Sequence, residues 1–160
     1  MTRENYQPWD ITISDFWRQE TAHEKLRFLL KFAVLAPSTH NSQPWKFKLQ
    51  DNAIEIYADK SFILPQADKT GRDLYISLGC LIENIFITAS FFNVFKDIDY
   101  LPEGDSDLVA RVYFSNLNKQ SMPQDDEFKY LFEAIPERHT ARGEFKDKKV
   151  EDEVFGSLES

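Results

Sequence analysis

The chain has 160 residues, a length that suits one ordinary domain with its own hydrophobic core, and its 14 Phe, 6 Tyr and 3 Trp are typical of a packed chain. Its 19 basic and 27 acidic residues leave a net charge of −8, which disfavours a general nucleic-acid binder because phosphate neutralisation requires a cationic surface. The single cysteine, Cys80, excludes an intramolecular disulfide and a Cys-rich zinc site, and three scattered histidines form no cluster, so we expect no metal.

The sequence carries no predicted targeting or membrane segment. Residues 1–20 contain four acidic residues and no apolar run, unlike a signal peptide. The longest apolar stretch, residues 78–95, is interrupted by Glu83, Asn84 and Asn93 and is marginal in length for a bilayer span. We therefore expect this stretch to be a buried helix in a soluble, cytoplasmic protein.

The chain begins with a predicted irregular arm, residues 1–20, and the first helix follows it. Thr21 and Glu24 match a capping box, in which the hydroxyl and the carboxylate satisfy free backbone N–H groups. Apolar residues then recur at helical spacing as far as Val34, and Pro37 ends the helix.

Six further elements are predicted from periodicity: strands at 45–49, 54–56, 95–101 and 108–115, and helices at 71–92 and 125–135. The first two strands flank an Asp51-Asn52 turn and so form a hairpin. Thr70 and Asp73 match a second capping box at the start of the longest helix. Gly79 inside that helix costs about 1 kcal/mol relative to Ala, which the close approach of another helix would offset.

The last residues predict a helix that has just begun where the sequence stops. Val150, Val154 and Leu158 recur every four residues, with Ser160 as the final residue. We therefore expect the sequence to be the front part of a longer polypeptide.

The segment from Ala36 to Trp45 concentrates hydroxyls, an imidazole and two carboxamides between a buried helix and a strand. Carboxamides and backbone groups match the donor and acceptor edge of a planar heterocycle. The same residue types also suit turn chemistry, since Ser, Thr and Asn often bond the local backbone. Ser38 and His40 lie two residues apart, but the sequence indicates no third residue that would orient the imidazole. We therefore do not expect them to act as a nucleophile and its base.

A second polar segment, residues 138–142, has two arginines and a threonine at alternating positions. If the segment is extended, Arg138, Thr140 and Arg142 lie on one side, which suits a phosphate or an anionic ring. The alternative is a solvated basic stretch that pairs with nearby glutamates.

These two segments resemble the motifs of one family. Ala33 to Phe47 resembles the APS-x-x-N-x-QPW-x-F signature of the FMN-dependent nitroreductases, and Arg138 to Phe145 resembles the R-x-S-x-R-x-F opening of the same fold. In an ordinary nitroreductase the arginine motif comes first. The reversed order is similar to the Acg-type oxidoreductases, in which two nitroreductase-like halves are fused. By this resemblance, residues 1–20 are an N-terminal arm, 21–136 a first half and 137–160 the beginning of a second half.

The resemblance implies an α+β fold in which helices flank an antiparallel sheet. The long central helix, residues 71–92, would lie at the interface of a homodimer or of an intrachain pseudo-dimer, where Gly79 allows close crossing. FMN would bind at that interface. The residues that the resemblance assigns to the cofactor are Pro37, Ser38, Thr39, Asn41, Gln43, Arg138, Thr140 and Arg142.

The activity that the resemblance implies is two-electron transfer from NAD(P)H, through FMN, to a small-molecule acceptor such as a nitro compound or a quinone. Because the flavin carries the redox chemistry, no catalytic acid, base or nucleophile is predicted among the residues. One alternative is a non-catalytic protein that binds or sequesters flavin on the same scaffold. Another is a structural half-domain that only supports dimerisation.

Overall fold

The computed structural model describes residues 13–63, 65–119, 126–141, 143–144, 146–149 and 151. Four helices and four strands follow one another in the order α1, α2, β1, β2, α3, β3, β4, α4. Their bounds are α1 Ile13–Arg18, α2 Ala22–Ala33, β1 Trp45–Gln50, β2 Ala53–Ala58, α3 Arg72–Phe91, β3 Phe95–Tyr100, β4 Leu108–Phe114 and α4 Asp126–Glu137.

The described part of the expected irregular arm contains a helix, so that prediction was wrong for α1. Phe16 is fully buried and stacks on Phe92, with 4.0 Å between ring centroids. Arg18 pairs with Asp15 one turn earlier at 2.9 Å. Six residues are too few to show helical periodicity, and the burial of one aromatic ring decides the conformation instead.

Helix α2 begins as its sequence predicts. The Thr21 hydroxyl accepts a hydrogen bond from the Glu24 N–H, and the Glu24 carboxylate accepts one from the Thr21 N–H, so the capping box is confirmed. The pKa of Glu24 is lowered by these hydrogen bonds. The helix ends at Ala33, and Leu35 and Ala36 remain buried as the chain turns away.

The four strands form one antiparallel sheet in the order β1-β2-β4-β3. Asp51 and Asn52 make the two-residue turn of the predicted hairpin, which brings Gln50 opposite Ala53. The inner face of the sheet packs against α2 and α3, and its buried side chains include Ile54, Ile56 and Val112.

The outer face of the sheet carries a row of alternating charges. Lys48, Glu55, Arg111 and Asp99 lie directly opposite one another on the four strands. Arg111 donates to Glu55 Oε1 from Nε at 3.0 Å and from Nη2 at 2.8 Å, and the Tyr57 hydroxyl donates to Oε2 at 3.0 Å. Burial raises the pKa of Glu55, but these hydrogen bonds outweigh it and leave the pKa below its ordinary value.

Helix α3 runs through the core, but its start differs from the prediction. Gly71 is the N-cap in a left-handed conformation, and no side chain caps from that position, so the Thr70 capping box is wrong. Asp68 acts instead, because its Oδ2 accepts from the Leu74 N–H at 2.9 Å. By length and composition α3 could cross a membrane, yet 56% of its most apolar window is buried, as is typical of a core helix.

Helix α4 docks on α3 through aromatic rings. Phe132 stacks on Phe91 with ring centroids 4.2 Å apart and planes 2° from parallel, and it also contacts Phe32 at 4.7 Å. The helix continues two residues past its predicted end, through Pro136 to Glu137. The antiparallel sheet, the flanking helices and the long helix confirm the predicted α+β class and fit a nitroreductase-like fold. The helix predicted from Val150, Val154 and Leu158 lies outside the described residues.

Candidate functional site

The first predicted cofactor segment is a loop between α2 and β1, residues 34–44. A short 3-10 turn, Thr39–Asn41, lies in its centre, and Trp45 at the start of β1 is buried. Thr39 is half-buried, whereas His40, Asn41 and Gln43 are exposed. The side chains of Thr39 and Asn41 donate and accept no hydrogen bond within the described part of the chain.

The loop holds an unusual backbone conformation. His40, Asn41 and Gln43 have positive φ angles of 52°, 57° and 50°, a left-handed region that residues other than glycine adopt at a cost. Ser38 stabilises the loop from within, since its carbonyl accepts from Asn41 N–H at 2.9 Å and its hydroxyl from Gln43 N–H at 3.0 Å. The Ser38 hydroxyl therefore has a partner within the loop itself.

Three contacts join the loop to its surroundings. The Thr39 N–H donates to the Ser77 hydroxyl of α3 at 3.3 Å. The Asp59 N–H donates to the Pro44 carbonyl at 3.0 Å, and the Asp59 carboxylate is held by Lys46 at 2.9 Å. The Lys46 and Ser61 hydrogen bonds keep the pKa of Asp59 below its ordinary value. The loop is thus attached to the core helix on one side and to the sheet on the other.

Arg138 connects the second predicted segment to the first. Its Nη2 donates to the Leu35 carbonyl at 2.9 Å, and its Nη1 donates to the Thr140 hydroxyl at 3.2 Å. Leu35 lies two residues before Pro37, so the guanidinium sits where the chain enters the loop. A guanidinium has five N–H donors, and these two bonds leave others for a ligand.

Four predicted site residues remain: Thr140, Arg142, Pro37 and Gln43. Thr140 lies beside Arg138, but Arg142 lies outside the described residues. Pro37 is half-buried at the entrance to the loop. The Gln43 carboxamide donates to the Val34 carbonyl at 3.5 Å, a long contact that turns it toward the end of α2.

Sequence reasoning missed two residues at this site. Leu35 contributes through its carbonyl oxygen, which every residue type has, so no sequence signal marks it. Ser77 is a small polar residue in an apolar helix. Its position among buried residues was the available signal, because buried hydroxyls usually have a specific partner.

Comparison with known proteins identifies relatives over much of this chain, although no protein-family model matches the sequence. It is 28% identical over 119 residues to "Putative NAD(P)H nitroreductase Rv3131" of Mycobacterium tuberculosis, a match that covers 74% of this chain and 33% of that protein. It is 25% identical over 91 residues to "Putative NAD(P)H nitroreductase acg" of the same organism, covering 56% and 28%. An uncharacterized protein of that organism, Rv3127, is 29% identical over 123 residues, covering 71% and 35%.

The matched stretch is a limited part of each relative. The chain spans about a third of the length of the curated proteins that it matches. The antiparallel sheet and flanking helices of this chain also fit a nitroreductase-like fold, in agreement with the names of these relatives. The chain is therefore related to the nitroreductase family.

Proposed function

We propose that the protein containing this chain is an FMN-dependent NAD(P)H oxidoreductase of the nitroreductase type. It would transfer two electrons to a small-molecule acceptor such as a nitro compound or a quinone. The names of two relatives support the NAD(P)H and nitroreductase parts of this proposal. A cytoplasmic location belongs to the same proposal, since the free thiol of Cys80 suits a reducing compartment.

The observation that carries the proposal is the hydrogen bond from Arg138 to the Leu35 carbonyl. Residues 103 positions apart in sequence meet there, since Leu35 directly precedes the first polar segment and Arg138 begins the second. A flavin mononucleotide requires hydrogen-bonding groups for the ring edge and positive charge for the phosphate. The Thr39 and Asn41 side chains and the Arg138 donors that the described residues do not use are groups of these two kinds, so the residues fit the cofactor.

These residues would have separate tasks. Arg138 would provide a permanent positive charge that stabilises an anionic group, and Thr140 would fix its guanidinium by accepting from Nη1. Ser38, Thr39 and Asn41, with weaker help from Gln43, would bind the cofactor from the loop that Pro37 shapes. Arg142 would add a second cation. FMN, when bound, supplies the two-electron redox chemistry.

The outer face of α3 supports a further part of the proposal, the pairing of two nitroreductase-like halves. Tyr75 and Ile76 are 44% and 51% exposed there, and a Cβ built on Gly79 would meet no atom within 4 Å. Exposed apolar residues beside a glycine suit a closely crossing helix. The close approach predicted for Gly79 is not made within the described residues, so we assign it to a second half, either from the same polypeptide or from a second copy.

The test is the visible spectrum of the purified full-length protein, recorded together with its intact mass. We expect flavin absorbance, or its return when the apoprotein is reconstituted with FMN. NADH or NADPH oxidation on addition of a nitroaromatic compound or a quinone would then support an enzyme. A colourless protein that cannot be reconstituted would rule out the proposal. A protein that binds FMN but turns over with neither reductant would favour a flavin-sequestering role.

A further inference from the structure

Ser77 occupies a specific place between the core helix and the loop. It is 4% exposed on α3, and its hydroxyl donates to the Asp73 carbonyl at 2.7 Å. A serine hydroxyl has one proton, and this bond uses it. The oxygen is therefore left as an acceptor, and it receives the Thr39 N–H at 3.3 Å.

The loop needs such an external contact because its backbone is strained. His40, Asn41 and Gln43 all have positive φ angles, and such conformations persist only where the surrounding structure holds them. The bonds made by Ser38 close the loop on itself but do not attach it to the core. The Thr39 N–H bond provides that attachment, one residue before the left-handed residues begin.

The loop is also packed closely over the first turns of α3. Between them lies a cavity of about 10 Å³, to which Thr39, Ser42, Asp68 and Ser77 contribute. That volume holds about one water molecule. The Ser77 hydroxyl thus holds the loop across a narrow gap.

We propose that Ser77 is a positioning residue for the cofactor-binding loop. Its hydroxyl holds the Thr39 peptide, and with it the side chains of Thr39 and Asn41, in the conformation that receives the flavin. This inference rests on the proposed function. Ser77 itself contributes through Thr39 and needs no contact with the cofactor.

Helix α3 supplies a matched control in Thr88. Its side chain is fully buried, and its hydroxyl donates to the Asn84 carbonyl, four residues earlier, at 2.7 Å. The geometry within the helix is the same as at Ser77. Within the described part of the chain, however, the Thr88 hydroxyl donates and accepts no bond to a loop, so Thr88→Val removes a buried helical hydroxyl alone.

The experiment compares four forms of the full-length protein: the wild type, Ser77→Val, Ser77→Thr and Thr88→Val. Valine and threonine have nearly the same shape, so the two substitutions at position 77 differ in the hydroxyl. One readout is the dissociation constant for FMN, from quenching of flavin fluorescence. The other is amide hydrogen exchange over residues 38–43 in the apoprotein, which requires no bound flavin.

We expect Ser77→Val to weaken FMN binding about three- to tenfold, the size of one hydrogen bond, and to speed exchange in the loop. Ser77→Thr and Thr88→Val should stay close to the wild type in both readouts. Unchanged loop exchange in Ser77→Val would overturn the inference, as would an equal loss of FMN affinity in Thr88→Val.

Two further results keep the test decisive. If Ser77→Val does not fold, Ser77→Ala takes its place, and normal exchange at the Thr39 amide in that variant overturns the inference. If the wild type binds no FMN, the proposed function and the flavin part of this inference fail together. Loop exchange in the apoprotein still decides in that case whether Ser77 orders the loop.

Discussion

Phe91 and Phe132 stack face to face, with ring centroids 4.2 Å apart and planes 2° from parallel. Phe91 ends α3 and Phe132 lies in the middle of α4, so this pair fixes one helix against the other. Arg138 follows α4 directly and reaches the Leu35 carbonyl. The aromatic contact therefore holds α4, the helix that directly precedes Arg138, against α3.

Phe132→Ala tests this contact. Phe132 is 4% exposed and contacts Phe32 as well as Phe91. We expect its truncation to lower the free energy of unfolding by about 3–5 kcal/mol, as measured by urea denaturation. Tyr130→Ala on the same helix is the control, because Tyr130 is 75% exposed and its loss should cost less than about 0.5 kcal/mol. Similar costs for the two variants would show that α4 is not held by this contact.

Arg138→Ala tests the cation at the candidate site. The variant loses the hydrogen bond to the Leu35 carbonyl and the positive charge. Hydrogen bonds that involve a charged group contribute more binding free energy than those between neutral groups. We expect FMN affinity to fall about ten- to hundredfold. Arg138→Lys should recover part of the loss, since it restores the charge without the planar fork.

Arg27→Ala is the control for Arg138, because Arg27 is exposed on α2 and lies outside the candidate site. It should leave the dissociation constant for FMN unchanged when the two proteins are titrated side by side. Equal affinities for the wild type and Arg138→Ala would remove Arg138 from the site.

Glu55→Gln tests the charge row on the outer face of the sheet. The pKa of Glu55 in the folded protein lies below its ordinary value of 4.5, so its contribution to stability is complete above that value. It is lost as the pH falls through the lowered pKa. We therefore expect the variant to be less stable than the wild type by about 1–2 kcal/mol at pH 7, with the difference shrinking below pH 4.5.

Urea denaturation at several pH values measures this difference. Glu133→Gln, at an exposed position of α4, should match the wild type throughout the series. A gap between the wild type and Glu55→Gln that is independent of pH would contradict the assignment of the effect to the carboxylate charge.

Gly79→Leu tests whether a second half covers α3. Within the described chain a Cβ at this position meets no atom within 4 Å, so we expect an uncovered helix to accept leucine and to gain about 1 kcal/mol in helix propensity. A closely crossing partner would instead be overpacked, at a cost of about 1–3 kcal/mol. We expect the second outcome in the full-length protein, as a lower Tm. Lys129→Leu, at an exposed position of α4, controls for the added apolar surface.

Much of the fold could be predicted from the sequence because its signals are local. The Thr21–Glu24 capping box, the Asp51-Asn52 turn and the long apolar helix each depend on neighbouring residues. Helix α1 was missed because its conformation depends on the distant ring of Phe92. The cap of α3 was assigned to Thr70 rather than to Asp68. Asp68 accepts from the N–H of Leu74, six residues later, whereas a capping box joins residues three apart.

The residues of the candidate site could be predicted from the sequence, but the tertiary contacts that hold them in place could not. The motif spanning Pro37 to Gln43 and the arginine segment stand out in the sequence, and the assignment of these residues to a cofactor remains a prediction. Their connection through Leu35 and the attachment to Ser77 depend on tertiary structure. Neither contact follows a local spacing rule, so the sequence does not show which groups meet, although the small polar Ser77 in an apolar helix stands out.

The bond between Arg138 and Leu35 uses a main-chain acceptor, and this has an evolutionary consequence. Any residue at position 35 offers the same carbonyl, so relatives are free to exchange that side chain for another that packs equally well. Position 138, in contrast, must keep a long donor to maintain the link. Statistical coupling between the two positions should accordingly be weak, even though they touch.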